Sequence, residues 1–380
     1  MGIGVMTMVG TAVYAALVLM LTAAGGDPQP RVQSPGSEPP GRWPEKKAWD
    51  WYKGGPWLCG FNYVPSVAVN DTEMWQAETF DAATIDRELG WAQKIGCNSC
   101  RVFLQYIVWK SDPEGFRKRF DRFLEIADKH GIRVMPVLFD DCAFDSGRDP
   151  YLGKQDDPIA GVHNSRWVPS PGAKLVADRS AWPDLERYVK DLVGSHRKDH
   201  RIVVCDLYNE PSLCSARGEC LALPLVEAAF RWARETKPSQ PLTTCIFGPP
   251  KLAERIPELC DIISLHNYSN LDSVKSDIDA SKRCARPIIV SEWMSRDTGS
   301  WFASHLPYFK EQKIGCFNWG LVAGRTQTYY PWGSPAGSPE PKVWHHDVLR
   351  KDGTPYDPGE IAIIRKCTGA PSEARDRNGS

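Results

Sequence analysis

Ile202-Val203-Val204-Cys205-Asp206-Leu207-Tyr208-Asn209-Glu210-Pro211 is the stretch on which the fold turns. An apolar, β-branched run that ends in Asn-Glu-Pro describes a buried strand delivering polar side chains at its C-terminal end. Seven more short runs share this form: Trp57–Tyr63, Ser99–Leu104, Arg133–Phe139, Leu242–Ile246, Ile262–His266, Pro287–Ser291 and Cys316–Trp319. Between them Thr84–Ile95, Gly115–His130, Ala181–His196, Leu221–Thr236 and Ser300–Gln312 carry apolar residues at helical spacing, with Asp81 and Ser180 as expected caps. Eight βα units fit a closed (β/α)8 TIM barrel, an α/β fold forming a single domain. An open doubly wound sheet would offer fewer strands and a G-x-G-x-x-G turn, and none follows the first strand.

In such a barrel, chemistry gathers where the strands end. Those ends read Asn62 and Tyr63, Arg101, Asp140 and Asp141, Asn209 and Glu210, His266 and Tyr268, Glu292 and Trp293, then Trp319. Glu210 and Glu292 close the fourth and seventh strands, which face one another across the barrel. Two opposed carboxylates suit acid/base work combined with a nucleophile. Two inserts, Asp140–Arg179 after the third strand and Leu321–His346 after the eighth, are long enough to be functional, and Trp167 and Trp332 on them are candidates to line further subsites of a cleft.

Four motifs carry a family resemblance. Asp206-Leu207-Tyr208-Asn209-Glu210-Pro211, Ile289-Val290-Ser291-Glu292-Trp293, Gly96-x-Asn98-x-x-Arg101-Val102-Phe103 and His266-x-Tyr268 resemble the clan A glycoside hydrolases, most closely family 5. The resemblance implies retaining hydrolysis of a β-linked oligo- or polysaccharide, with Glu210 as general acid/base and Glu292 as nucleophile. It also implies a substrate-binding set of Arg101, Asn209, His266, Tyr268 and Trp319. In that set Arg101 orients the nucleophile and Asn209 meets the sugar 2-hydroxyl. His266 and Tyr268 support the carboxylates, and Trp319 lies under the sugar. Arg101 is expected to keep Glu292 ionised while Glu210 arrives protonated. Many members place a His after strand three; here Phe139-Asp140-Asp141-Cys142 stands instead, with a structural role favoured for Asp140.

Composition sets the outer bounds. The 380 residues are 42% hydrophobic and 24% charged, which describes a globular chain with a sizeable core. Lys+Arg 46 against Asp+Glu 47 leaves no basic excess, so nucleic acid is not an expected partner. Carbohydrate is, and the 15 tryptophans suit it, although most of them serve packing. No cofactor and no metal are expected. A metallohydrolase using Asp140, Asp141, His266, His345 and His346 lacks H-E-x-x-H or H-x-H spacing, and a serine hydrolase lacks G-x-S-x-G. The alternative from another class is a non-catalytic glycan-binding protein on the same barrel.

Residues 5–24 carry no charge, and Thr22 with Ala24 offers a small-x-small cleavage site. Residues 1–24 are therefore expected to be a signal peptide or an N-terminal anchor, giving a secreted or periplasmic protein that meets a membrane only if that segment is retained. Residues 25–48 read as a Pro/Gly-rich linker, 49–367 as the barrel and 368–380 as a disordered tail. Of 12 cysteines, Cys59, Cys100, Cys205, Cys245 and Cys316 lie in apolar runs and read as buried thiols. Cys214 and Cys220 flank a polar loop and are a possible bridge. Asn70-Asp71-Thr72 and Asn267-Tyr268-Ser269 spell glycosylation acceptors.

Overall fold

The computed structural model describes residues 39–145, 147–215 and 219–371. The expected signal or anchor, most of the linker and the tail beyond residue 371 lie outside them. No helix among the described residues is long and apolar enough to cross a membrane.

Eight strands form one parallel sheet: β1 Cys59–Tyr63, β2 Ser99–Phe103, β3 Arg133–Asp140, β4 Cys205–Asn209, β5 Leu242–Thr243, β6 Ile263–His266, β7 Ile288–Trp293 and β8 Gly315–Trp319. Each pairs with its sequence neighbour, β1 also pairs with β8, and a parallel bridge from Cys245 to Ser264 closes β5 onto β6. The sheet is therefore a (β/α)8 barrel, with all eight strands where the sequence places them and β5 the shortest. Gly60 shows how tightly the interior is filled: a Cβ there would lie 2.5 Å from Ser99 Oγ and 2.6 Å from Phe317.

The outer helices fold because one face of each is apolar. In Pro113–Lys129, Phe116, Phe120, Phe123, Leu124 and Ala127 recur at helical spacing and are buried against the barrel, each large side chain contributing about 1.5–3 kcal/mol. Asp81 caps Ala82–Ile95 by accepting from the N–H groups of Ala83 and Thr84. The expected Ser180 cap is not found: Asp178 caps a short 3-10 turn there by accepting from Ser180 N, and helix Trp182–Ser195 follows without a side-chain cap.

The folded chain also starts upstream of Trp49. Helix Glu45–Gly54 lies across the lower mouth of the barrel, and Trp43 and Ala48 pack there against Leu58, Val203, Ile262, Ile289 and Phe317. The Pro-rich composition before it hid this ten-residue helix, of which only Ala48 is fully buried. Asn70 is buried, caps the next helix and donates to Gln155 and Arg166, so it is closed to modification. Cys214 and Cys220 stand opposite one another as an antiparallel bridge pair, and both thiols are free.

Candidate active site

Arg101, on β2, is the hub of the upper barrel. Its guanidinium has no exposure and spreads its donors over four acceptors: Asp206 Oδ2 at 2.8 Å and 3.0 Å, Asn62 Oδ1 at 2.9 Å, Asn209 Oδ1 at 2.7 Å and Glu292 Oε1 at 2.6 Å. A planar fork satisfies several acceptors at once, which is why arginine serves here. Four of the eight strands are thereby fixed to one another at their C-terminal ends. Arg101 bonds the carboxyl of Glu292 directly and, fully buried, does not itself line the cleft.

Glu292 ends β7 and takes a second hydrogen bond from Tyr268 Oη, at 2.6 Å on Oε2. Burial pushes its pKa up, opposed by His266, Arg101 and the Tyr268 bond and reinforced by Glu210. Arg101 therefore limits the rise that burial causes and favours the ionised form.

Glu210 follows β4 with φ of 39°, a left-handed backbone uncommon for a side chain this size, and its N–H donates to Cys245 Sγ. Burial raises its pKa to about 7, against the Arg101 charge and a bond with the Cys142 thiol. His266 Nδ1 lies 2.9 Å from Glu210 Oε1 and 3.5 Å from Glu292 Oε2. Burial drops the pKa of this imidazole to about 4, so the ring is neutral near pH 7. It can donate to the ionised Glu210 or accept from the protonated one. One oxygen of Glu210 and one of Glu292 lie within 4.8 Å of each other, with His266 between them.

Above the carboxylates is a cleft of about 370 Å³ lined by Asn209, Glu210, Tyr268, Glu292 and Trp319. Trp319 lies edge-on to Phe103 and Trp167, which fix its plane. Five of the seven expected site residues thus reach the cleft, whereas Arg101 and His266 stand behind it. Trp293 does not: it is buried and stacks on His305. Asp140 plays the structural part expected, accepting from Asn209 Nδ2, Trp167 Nε1 and Cys142 N. Asp141 likewise holds Tyr208 and the backbone of Ser212 and Leu213.

Sequence reasoning did not find Phe144, His163 and Asn164, which line the cleft from the β3 insert, and it named Trp332 and His346 from the β8 insert without placing them. Loop residues have no periodicity, so only the lengths of the inserts pointed to them. Among the described residues three groups bring ligand atoms within 4.8 Å: His163, His345 and His346; Asp121, His196 and Asp199; and Glu210, His266 and Glu292. The first adjoins the cleft. In it His345 is engaged by Asp297 and lies 3.2 Å and 3.4 Å from Ser295 Oγ through its two nitrogens.

No family model and no curated protein matches the chain. Solved structures do. The exo-beta-1,4-mannosidase Op5Man5 from Opitutaceae bacterium strain TAV5 is 15% identical over 84% of this chain and 60% of its own, with a TM-score of 0.53. This chain thus spans less than two thirds of that protein. The endo-beta-1,4-mannanase from Thermotoga petrophila is 13% identical over 83% of this chain and 77% of its own, with a TM-score of 0.54. A glycoside hydrolase family 5 mannosidase from Rhizomucor miehei is 14% identical over 83% and 94%, with a TM-score of 0.52. The resemblance noted in the sequence therefore holds at the level of the fold: the chain has the (β/α)8 barrel of these glycoside hydrolases.

Proposed function

We propose that the protein is a retaining β-glycosidase acting on a β-linked oligo- or polysaccharide. The observation that carries this reading is the pair of buried carboxyls, Glu210 and Glu292, with oxygens within 4.8 Å. Retaining enzymes set their carboxyls ~5–5.5 Å apart, whereas inverting ones leave ~6.5–9.5 Å for a water. The two groups also have different partners. Glu292 faces a fixed cation and a phenol, which favours its ionised form as a nucleophile. Glu210 meets a neutral imidazole and a thiol, and its raised pKa keeps it substantially protonated near neutrality.

In the reaction so assigned, Glu210 gives its proton to the glycosidic oxygen as Glu292 attacks the anomeric carbon, and the leaving alcohol departs. Glu210, now a carboxylate, takes a proton from water, which displaces Glu292 from the glycosyl-enzyme. With its proton on Nδ1, His266 donates to Glu210 Oε1 in both protonation states, the transferred proton being carried on the other carboxyl oxygen. Neither metal nor cofactor has a step to perform.

Because the neighbours named above act on mannosides, aryl β-mannosides head the panel to test, followed by β-glucosides and β-xylosides. Activity that disappears in Glu292→Gln and Glu210→Gln, with activated aryl substrates sparing only the latter, supports the mechanism. A folded protein that cleaves nothing but binds oligosaccharides sinks it in favour of the glycan-binding reading. The uncharged residues 5–24 support export or membrane anchoring of the same chain.

A further inference from the structure

The two inserts join over the cleft. Asn164 N donates to Thr326 O at 2.7 Å, Gly337 N to Ala160 O at 2.7 Å and Gln327 Nε2 to Ile159 O at 2.8 Å. Arg325 then ties this double wall to the loop after β1, donating from its backbone to Ser66 O and pairing with Glu73 at 2.8 Å and Asp157 at 2.9 Å. Three loops that barrels often leave as separate flaps are here one bonded unit. By contrast, the connections after β5 and β6 are short, with helices beginning at Pro250 and Leu271.

The wall stands on one particular side. His346 lies with its ring centroid 6.4 Å from Trp319 and 5.4 Å from Tyr268, and Trp332 lies 5.0 Å from Tyr268. Tyr268 is the phenol that holds Glu292. The nucleophile bonds the anomeric carbon of the sugar being transferred, while the acid Glu210 protonates the oxygen of the group that leaves. Trp332 and His346, on the β8 insert, therefore close the nucleophile's side of the cleft, beyond the transferred sugar, and the short connections after β5 and β6 leave the other side to the leaving group.

Three polar atoms of the wall are uncharged acceptors. His163 Nδ1 bonds Tyr330 O at 2.7 Å and His346 Nδ1 bonds Met294 O at 2.6 Å, and because a carbonyl only accepts, both Nδ1 atoms carry the proton. Burial holds both rings neutral, His163 near pKa 3 and His346 well below its ordinary value. Each Nε2 is then an acceptor. Asn164 is 2% exposed, lines the cleft, and its Oδ1 has no hydrogen-bond partner. Three uncharged acceptors suit hydroxyl donors, and with no Lys or Arg among the lining residues the cleft offers a carboxylate or phosphate no counter-charge.

We infer that His163, Asn164 and His346 form a terminal-sugar site that accepts the hydroxyls of one neutral, non-reducing-end pyranose, so that the protein releases single sugars from chain ends. This rests on the glycosidase reading and adds its direction, its product size and its recognition residues.

The test uses the full-length protein and the aryl β-glycoside panel, then borohydride-reduced tri- to pentasaccharides of whichever sugar is cleaved. The expected first product is the monosaccharide alone, with the alditol shortened one unit at a time, and aryl β-glucuronides are left intact. Initial release of di- or trisaccharides, or cleavage of the glucuronide at a comparable rate, overturns the inference while leaving a glycosidase. Asn164 has φ of 46°, a conformation glycine adopts freely, so Asn164→Gly removes the acceptor without backbone strain. It should raise KM about ten- to a hundred-fold on the aryl glycoside with an unchanged melting temperature. An unchanged KM removes Asn164 from the site. Absence of all turnover by the folded protein defeats the underlying reading and this one together.

Discussion

Arg101 Nη1 lies 2.6 Å from Glu292 Oε1, and water reaches neither the guanidinium nor, beyond 5% of its surface, the carboxyl. The same cation meets Asp206, fully enclosed, at 2.8 Å. One buried positive charge thus answers two buried negative ones, and removing it strands both. Arg101→Ala should cost about 3–5 kcal/mol of stability, read by urea unfolding. Arg101→Lys keeps the charge, but an ammonium cannot satisfy four acceptors in one plane. It should fold with a smaller loss and still forfeit most activity. Full activity in Arg101→Lys would mean that the orientation of Glu292 does not depend on the fork.

The pH profile follows from the two glutamates. Glu210 must be protonated to act as acid, and its pKa of about 7 makes the rate fall as pH rises through neutrality. Glu292 must be ionised to act as nucleophile, and burial places its titration above the ordinary glutamate value, so the acid limb lies above that value too. The expected kcat/KM profile is a bell with its basic limb near pH 7. In Glu210→Gln, assayed on a substrate with a good leaving group, that limb should vanish. A limb that survives belongs to another group.

How far the sequence led can be judged from the same residues. The eight strands were legible because each is a short apolar run closed by a polar residue, and parallel strands buried on both faces must read that way. Glu210, Glu292, Asn209, Tyr268 and Trp319 were legible because the ends of such strands converge on one cleft. Arg101 was legible from its motif, but its complete burial was not, since a motif gives neighbours along the chain and not depth. His163 and Asn164 were invisible. Their position depends on bonds between two inserts more than 150 residues apart in the chain, such as Asn164 N to Thr326 O. No periodic pattern records such a contact.

Asp71 offers a test of electrostatics away from the cleft. Its Oδ2 accepts from Gln105 Nε2 at 3.1 Å, its Oδ1 has no partner, and burial raises its pKa to about 8. In the unfolded chain the same carboxyl titrates near ~3.9. The folded state therefore holds a proton that the unfolded state releases, and its contribution to stability is full below about pH 4 and is lost as pH rises through 8. Asp71→Asn removes this dependence. The variant should match the parent near pH 4 and exceed it at pH 8 by on the order of a few kcal/mol in urea unfolding. An equal stability difference at both pH values would show that Asp71 ionises normally.

Metal removal separates the two uses to which the histidines beside the cleft could be put. His163, His345 and His346 bring ring nitrogens within 4.8 Å of one another, close enough to share an ion. Metal-bound histidines commonly anchor their second nitrogen on a carbonyl or carboxylate, as His163, His346 and His345 do on Tyr330, Met294 and Asp297. His345, however, lies within 3.4 Å of Ser295 Oγ through both nitrogens, so its ring is already turned to a partner on its own side. With only His163 and His346 offering acceptors to the cleft, a sugar hydroxyl is the better match. Exhaustive chelation followed by dialysis should leave kcat and KM unchanged, and added zinc should not raise the rate. Loss of activity on chelation, restored by zinc in the parent and not in His345→Phe, would give the three rings to an ion and remove them from sugar recognition.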